Sequence, residues 1–289
     1  MDLLFYKNMT AYTGILDAIN AYGHKYTYRF IDNSEFVKLI PNNLREANKI
    51  YVQELLFRAH IAAITTLFRN EKWMQGLRSA VECKNYFVFC ASLRGLVESA
   101  ADSKYSLIHV PGTLRDHFSP FYSALHGTFD SGLIICEPLE NILIHYSHGK
   151  KQPINSSAPS SHFAKTSKEY VCCLDDPNCT DVRDLYSELC EVTHPAERTV
   201  AIFITRESES SQDYTINREL DGYFLIDLLK RHDRAFINVF QMSFNAALLS
   251  LYALNKFNDK RFYTPGIADV NMSKVEAFRE LEESMKGLT

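Results

Sequence analysis

Two helix-patterned stretches carry the side chains best suited to chemistry. In YFVFCASLRGLVESAA, residues 86–101, Phe89, Leu93, Leu96 and Ala100 recur at spacings of four, three and four, one stripe of an α-helix. Arg94 lies within the widened stripe, and Glu98 follows it by four residues, where the two pair along a helix. In LYSELCEVTHP, residues 185–195, Tyr186, Cys190 and His194 are spaced by four and share one face. An imidazole can serve as a general base and a guanidinium as a fixed cation that holds developing negative charge. Arg94 and His194, supported by Glu98 and Tyr186, are therefore the first candidate catalytic set. The plainer reading is structural: Arg94 neutralises a glutamate, and His194 sits at a helix C-terminus, where positive charge is favoured.

Two further groupings have metal-like composition. Cys172, Cys173, Cys179, Cys190 and His194 fall within 23 residues. A Cys3His zinc site drawn from Cys173 (or Cys172), Cys179, Cys190 and His194 has suitable ligands, but not the paired CxxC spacing of zinc knuckles, so no metal is favoured. His145 and His148, with Glu140, form an HxxH pattern that reads first as a helix end and second as a metal or phosphate contact. Glu54 stands on an otherwise apolar seam, where a carboxylate needs a partner, here Arg58 or Arg94. Lys150 and Lys151 in one loop, and Arg231 and Arg234 in the run KRHDR, are the local basic clusters and the candidate ligand-binding residues for phosphate. No P-loop, GxGxxG, GxSxG or HExxH is present, which removes the usual signals for nucleotide hydrolysis, hydride transfer and serine hydrolysis.

The elements that must position these groups are helical. Periodicity predicts helices over 2–21, from about 43 to 69 and on to 83 with a bend at Gly76, over 86–108, 113–126, 137–148, 166–174 and 181–194, then a long pattern over 221–257 and a charged amphipathic helix over 272–286. Gly23 is the expected stop of the first helix, Pro41-Asn42-Asn43 the expected start of the second long one, and Pro111-Gly112 a break. TVAIFIT, residues 199–205, reads as the best strand, pairing back with 213–217. The expected fold class is mainly α: an antiparallel helical bundle with long helices and a small β-hairpin insertion near 199–217, in a single helical domain over 1–289. The Pro/Ser-rich stretch 149–165 is expected to be a mobile loop or lid.

Composition narrows the setting. The chain is 46% hydrophobic and carries a net charge of −4, so it can bury a substantial core and has no global attraction to nucleic acid or anionic membrane. Seven cysteines without a disulfide framework point to a reducing compartment. No signal peptide or membrane-spanning helix is expected from the sequence, which makes a cytoplasmic location with no membrane partner the expectation.

The arginine-bearing LRGLVES helix, the later LYSELCEVTHP segment and the long bundle helices resemble HEPN-type helical proteins of prokaryotes, over roughly residues 45–255. That resemblance implies RNA-cleaving toxins or components of antiviral and stress-defence systems, metal-independent, with arginine and histidine at a dimer interface. This sequence departs from the family's motif of Arg, four to six residues, then His: none of its ten histidines has an arginine at that distance before it. The first expectation is therefore a helical binding or regulatory module of a defence system. It would be a homo-oligomer or bound to a protein partner, and would act on RNA, nucleotide or protein. The alternatives are an endoribonuclease using Arg94 and His194, and a zinc-containing protein built on the Cys172–His194 cluster.

Overall fold

The computed structural model describes residues 4–21, 25–151, 153, 156–174, 181–195, 197–206, 208 and 212–286. In chain order the elements are α1 (Leu4–Asn20), α2 (Asn33–Asn42), α3 (Leu44–Glu82), α4 (Tyr86–Tyr105), α5 (Val110–Asp116), α6 (Phe118–Leu125), α7 (Glu137–His148), α8 (Ser167–Cys172), α9 (Asp181–Thr193), α10 (Glu197–Ala201), β1 (Ile204–Arg206), β2 (Tyr214–Ile216), α11 (Asp221–Arg231), α12 (Asp233–Asn255) and α13 (Glu276–Met285). The protein is mainly α with one small antiparallel hairpin, as the sequence pattern predicts.

Several boundaries differ from expectation for physical reasons. α3 runs unbroken through Gly76 for 39 residues. A Cβ at Gly76 would lie 2.6 Å from Ser92 Oγ, so the missing side chain serves close packing of α4. Pro41 lies inside the last turn of α2, and Asn43 starts α3, its Oδ1 accepting the Glu46 N–H at 3.1 Å. Pro111 and Gly112 do not break the chain but open α5, where proline is tolerated; α4 already ends at Tyr105, a 3-10 turn spans Leu107–His109, and a second break falls at His117. The strand expected over 199–205 starts later: α10 takes residues up to Ala201, leaving Ile204–Arg206 to pair with β2 in the register Ile204↔Ile216. Arg198 is drawn onto Glu188 and Glu191, which favours a helical turn there over an extended strand. The pattern over 221–257 divides into α11 and α12 at His232. The expected stop at Gly23 lies outside the described residues. The 149–165 stretch is not featureless: Lys150 bridges Phe163, and Ser160–His162 forms a 3-10 turn.

Contacts divide the chain into two compact units. The first comprises Met1–Gly14, Phe68–Lys104 and Thr166–Phe244. Its core joins Phe5 to Phe89, Phe236 and Phe240, with Tyr12 stacked on Phe244 at 4.6 Å. Asn70, fully buried, donates to the Ser243 carbonyl and accepts the Ser99 hydroxyl, satisfying a polar group that would otherwise be costly to bury. The second unit comprises Ile15–Leu67, Tyr105–Lys165 and Asn245–Thr289. In it Phe118 packs on Phe257 at 4.7 Å and Phe57 on Phe262 at 6.1 Å. Among the described residues one helix, α12, is long and apolar enough to cross a membrane, and 67% of its most apolar window is buried in the protein.

His60 is fully buried in the second unit. The Tyr28 hydroxyl lies 2.5 Å from Nδ1 and Thr264 Oγ1 2.8 Å from Nε2. A neutral ring donates through one nitrogen and accepts through the other, and these two hydroxyls can serve both. Burial pulls the His60 pKa from 6.5 down to about 4. Because the folded value lies below the unfolded one, the protein is at full strength above pH 6.5 and loses stability as pH falls towards 4. The loss expected is on the order of 3 kcal/mol. Urea midpoints measured between pH 7 and pH 4 check this, with a His60→Gln variant losing most of the pH slope in that window.

Candidate active site

The site is built on α4 and α9, both packed within the first unit. The turn between α3 and α4 places Lys84 in the left-handed region at φ 51°. Asn85 then caps α4 by accepting the Val88 N–H at 3.0 Å, and Asp221 accepts the Tyr86 N–H at 2.9 Å. Phe89, Leu93, Leu96, Val97 and Ala100 are buried. At Gly95 a Cβ would come within 2.6 Å of the Trp73 ring, so only glycine lets α4 approach α3 this closely. α9 buries Val182, Leu185, Leu189 and Val192 and carries Asp181 and Asp184 in its first turn, where negative charge suits the helix dipole.

These elements bring Arg94 and His194, 100 residues apart, into direct contact: Arg94 Nη1 lies 2.8 Å from His194 Nε2. Arginine has no acceptor, so in this contact Nη1–H donates and Nε2 presents its lone pair. Nη1 also donates to Thr193 Oγ1 at 3.1 Å, and Nε donates to Glu98 Oε1 at 3.1 Å. Tyr186 donates to the same Glu98 oxygen at 2.8 Å, and its ring lies 5.8 Å from the Arg94 guanidinium carbon. The four residues singled out from sequence thus form one connected cluster. Burial pushes the Tyr186 phenol up to about 12, with the Glu98 hydrogen bond and charge adding to it. Burial works to lower the Arg94 pKa, but Cys190, Tyr186 and Glu98 outweigh it and hold the guanidinium above its ordinary value. The cluster is half-buried around Arg94, while His194 is exposed. His194 also borders an open groove of about 540 Å³ walled by Phe87, Val88, Ala91, Val192 and Pro195.

A second network fixes α9. Glu188, 8% exposed, accepts both Arg231 Nη1 and Nη2 at 2.6 Å, His232 Nε2 at 2.9 Å, and Arg198 Nη2. Burial alone would raise this carboxyl, but the hydrogen bonds from Arg231 and His232 and the charges of Arg198 and Arg231 outweigh it and draw it down to about 2. Sequence reasoning missed Glu188. The signal was present, since the residue stands three after Leu185 on an apolar stripe, the same mark that singled out Glu54.

The other candidates fall elsewhere. Arg231, read as a phosphate contact, forms a bidentate pair with Glu188 and also holds Asp227 at 2.8 Å. Arg234 is exposed in the first turn of α12. Lys150 and Lys151 are exposed at the base of the 149–165 loop. Glu54 accepts the Ile31 N–H at 2.5 Å and lies 3.9 Å from Arg58. Of the cysteine set, Cys172 is exposed and Cys173 and Cys190 are half-buried, with Cys173 Sγ directed at the Glu169 carbonyl; Cys179 lies outside the described residues. Among the described residues no three His, Cys, Asp or Glu side chains are grouped to hold a metal.

Glu188→Gln should remove the charge that two guanidiniums and an imidazole share and destabilise the protein by about 3 kcal/mol at pH 7, measured as a fall in urea midpoint. The native contribution is complete above the ordinary carboxyl pKa of 4.5 and is lost as pH falls towards 2, so the gap between native protein and variant should narrow by pH 3. Comparison of the chain with known protein families, with curated proteins and with solved structures finds no match, and the reading of this site rests on its own geometry.

Proposed function

We propose that the Arg94–His194 cluster is a metal-independent RNA-cleaving site. The observation that carries this reading is the 2.8 Å contact between the Arg94 guanidinium and the exposed His194 imidazole. A general base needs a lone pair on a neutral ring, and a developing phosphorane needs a fixed cation beside that base.

The chemistry follows from the hydrogen bonds. A phosphodiester oxygen is a stronger partner for a guanidinium than a neutral imidazole is. An RNA phosphate arriving at Arg94 therefore takes over Nη1 and frees the Nε2 lone pair. His194 then removes the 2′-hydroxyl proton, and the 2′-oxygen attacks phosphorus. The bond to the 5′-oxygen breaks, that oxygen takes up a proton, and a 2′,3′-cyclic phosphate remains. Glu98, itself held by Tyr186, keeps Nε of Arg94 occupied and so orients the fork; both are positioning residues. The apolar groove beside His194 offers Phe87 and Pro195 as surfaces for an unstacked base. The resemblance to HEPN-type proteins, whose catalytic motif this sequence lacks, bears on the setting alone, and on it we place the protein in a prokaryotic stress or antiviral defence system, working as an oligomer.

Arg94→Ala and His194→Ala should each lower cleavage of a single-stranded RNA by about 100-fold or more, measured by gel assay alongside circular dichroism to confirm folding. Tyr186→Phe, which removes one hydrogen bond to Glu98, should cost several-fold while leaving the fold intact. If native protein binds RNA without cleaving it, and Arg94→Ala abolishes that binding, the cluster is a recognition site and the regulatory alternative replaces the nuclease.

A further inference from the structure

The arginine–histidine cluster leaves another part of the sequence without a role. From Asn141 to Lys165 the chain holds three lysines and three histidines and no aspartate or glutamate, in a protein with a net charge of −4. Within the second unit this stretch folds back on itself. The Lys150 N–H donates to the His162 carbonyl and the Ala164 N–H to the Lys150 carbonyl, both at 3.1 Å. The fold-back gathers the basic residues at the end of α7, with the His148 and His162 rings 6.2 Å apart. Beside it lies a cavity of about 440 Å³ whose walls include Tyr105, His109, Asn141, His145, Ser160 and Ser161, and no carboxylate among the described residues. The Lys165 ammonium sits 4.8 Å over the Tyr105 ring at its edge, and the His145 ring packs edge-on against the same tyrosine at 5.1 Å.

We propose that this cavity binds a small phosphorylated ligand of nucleotide size. The hydroxyls, amide and imidazoles of the walls, with no carboxylate among the described lining residues and the Lys165 ammonium close by on the Tyr105 ring, form a donor set that fits phosphate oxygens. The volume exceeds what a bare phosphate needs and falls within the range of about 300–1,000 Å³ typical of small-ligand pockets, and Tyr105 supplies an aromatic wall for a base. A metal ion is a poorer match, since the walls carry imidazoles but neither thiolate nor carboxylate. An RNA strand is also a poorer match, because strand binding uses successive aromatic platforms and this cavity has one. The C-terminal end of α7 opposes an anion through the helix dipole. Its His145 carbonyl is already taken by the Gly149 N–H at 2.8 Å, and Lys150, Lys151 and Lys165 outnumber that partial charge. This site stands apart from the RNA-cleaving reading and does not depend on it.

Calorimetric titration of the full chain with AMP and ADP, with adenosine and inorganic phosphate as separate arms, tests the proposal. The nucleotides should bind saturably, phosphate more weakly, and adenosine not at all. Lys165→Glu and His109→Ala, both at positions with solvent access, should each weaken ADP binding at least tenfold without lowering the thermal midpoint, while Arg94→Ala leaves it unchanged. The proposal is overturned if neither nucleotide nor phosphate binds at concentrations up to about 1 mM, if adenosine binds as well as AMP, or if both variants bind ADP like the native protein. It is also overturned if an RNA oligonucleotide without a terminal phosphate binds through these lysines and ADP does not displace it.

Discussion

The first unit depends on one ionised carboxylate taken out of water. Glu188 sits on the buried face of α9 and is met by Arg198 of α10, by Arg231 at the end of α11 and by His232 in the break before α12. Burying such a charge costs several kcal/mol unless its oxygens are fully satisfied, and here both oxygens are. The arrangement is therefore close to all-or-none: each of the three elements is held where it must be for the carboxylate to be tolerated. Tyr86 and Cys90 lie near this network on α4. Burial, chiefly, raises the Cys90 thiol to about 12, so that cysteine acts as packing and not as a nucleophile.

A steric constraint does for α4 what the carboxylate does for α9. Gly76 faces Ser92 and Gly95 faces the Trp73 ring, so α3 and α4 approach at two points where a side chain would not fit. Successive helical residues project about 100° apart. With Gly95 turned onto Trp73, Arg94 is left to point towards the end of α9. Two independent devices, one electrostatic and one steric, thus fix the two helices whose side chains meet, and the guanidinium is oriented by Glu98 and Thr193 before any ligand arrives.

Local features of this design were legible in the sequence, and long-range ones were not. The Arg94–Glu98 pair follows from a spacing of four, and the shared face of Tyr186 and His194 from multiples of four. That Arg94 would meet His194 could be guessed only from residue type, since no periodicity links positions 100 residues apart. Arg231 shows the opposite case. In KRHDR it looks like solvated positive charge, and only the fold shows that a buried glutamate 43 residues earlier claims it. The first strand of the hairpin begins later than the β-branched residues over 199–205 suggest, because they signal propensity alone, whereas Arg198 is anchored as part of a helical turn that runs to Ala201. Proline at 111 and glycine at 112 looked like punctuation, yet the first turn of a helix accommodates both.

The placement of His194 just past the last residue of α9 has an evolutionary consequence. Its approach to Arg94 is set by the five residues that separate it from Glu188, because the buried carboxylate fixes the helix at one end of that interval. Substituting an exposed residue within it, such as Glu191, leaves the count unchanged. Deleting or inserting one residue would swing the imidazole about 100° around the helix axis and away from the guanidinium, with almost no change in composition. Divergent relatives that keep this chemistry should therefore conserve the length of that interval more strictly than its exposed letters.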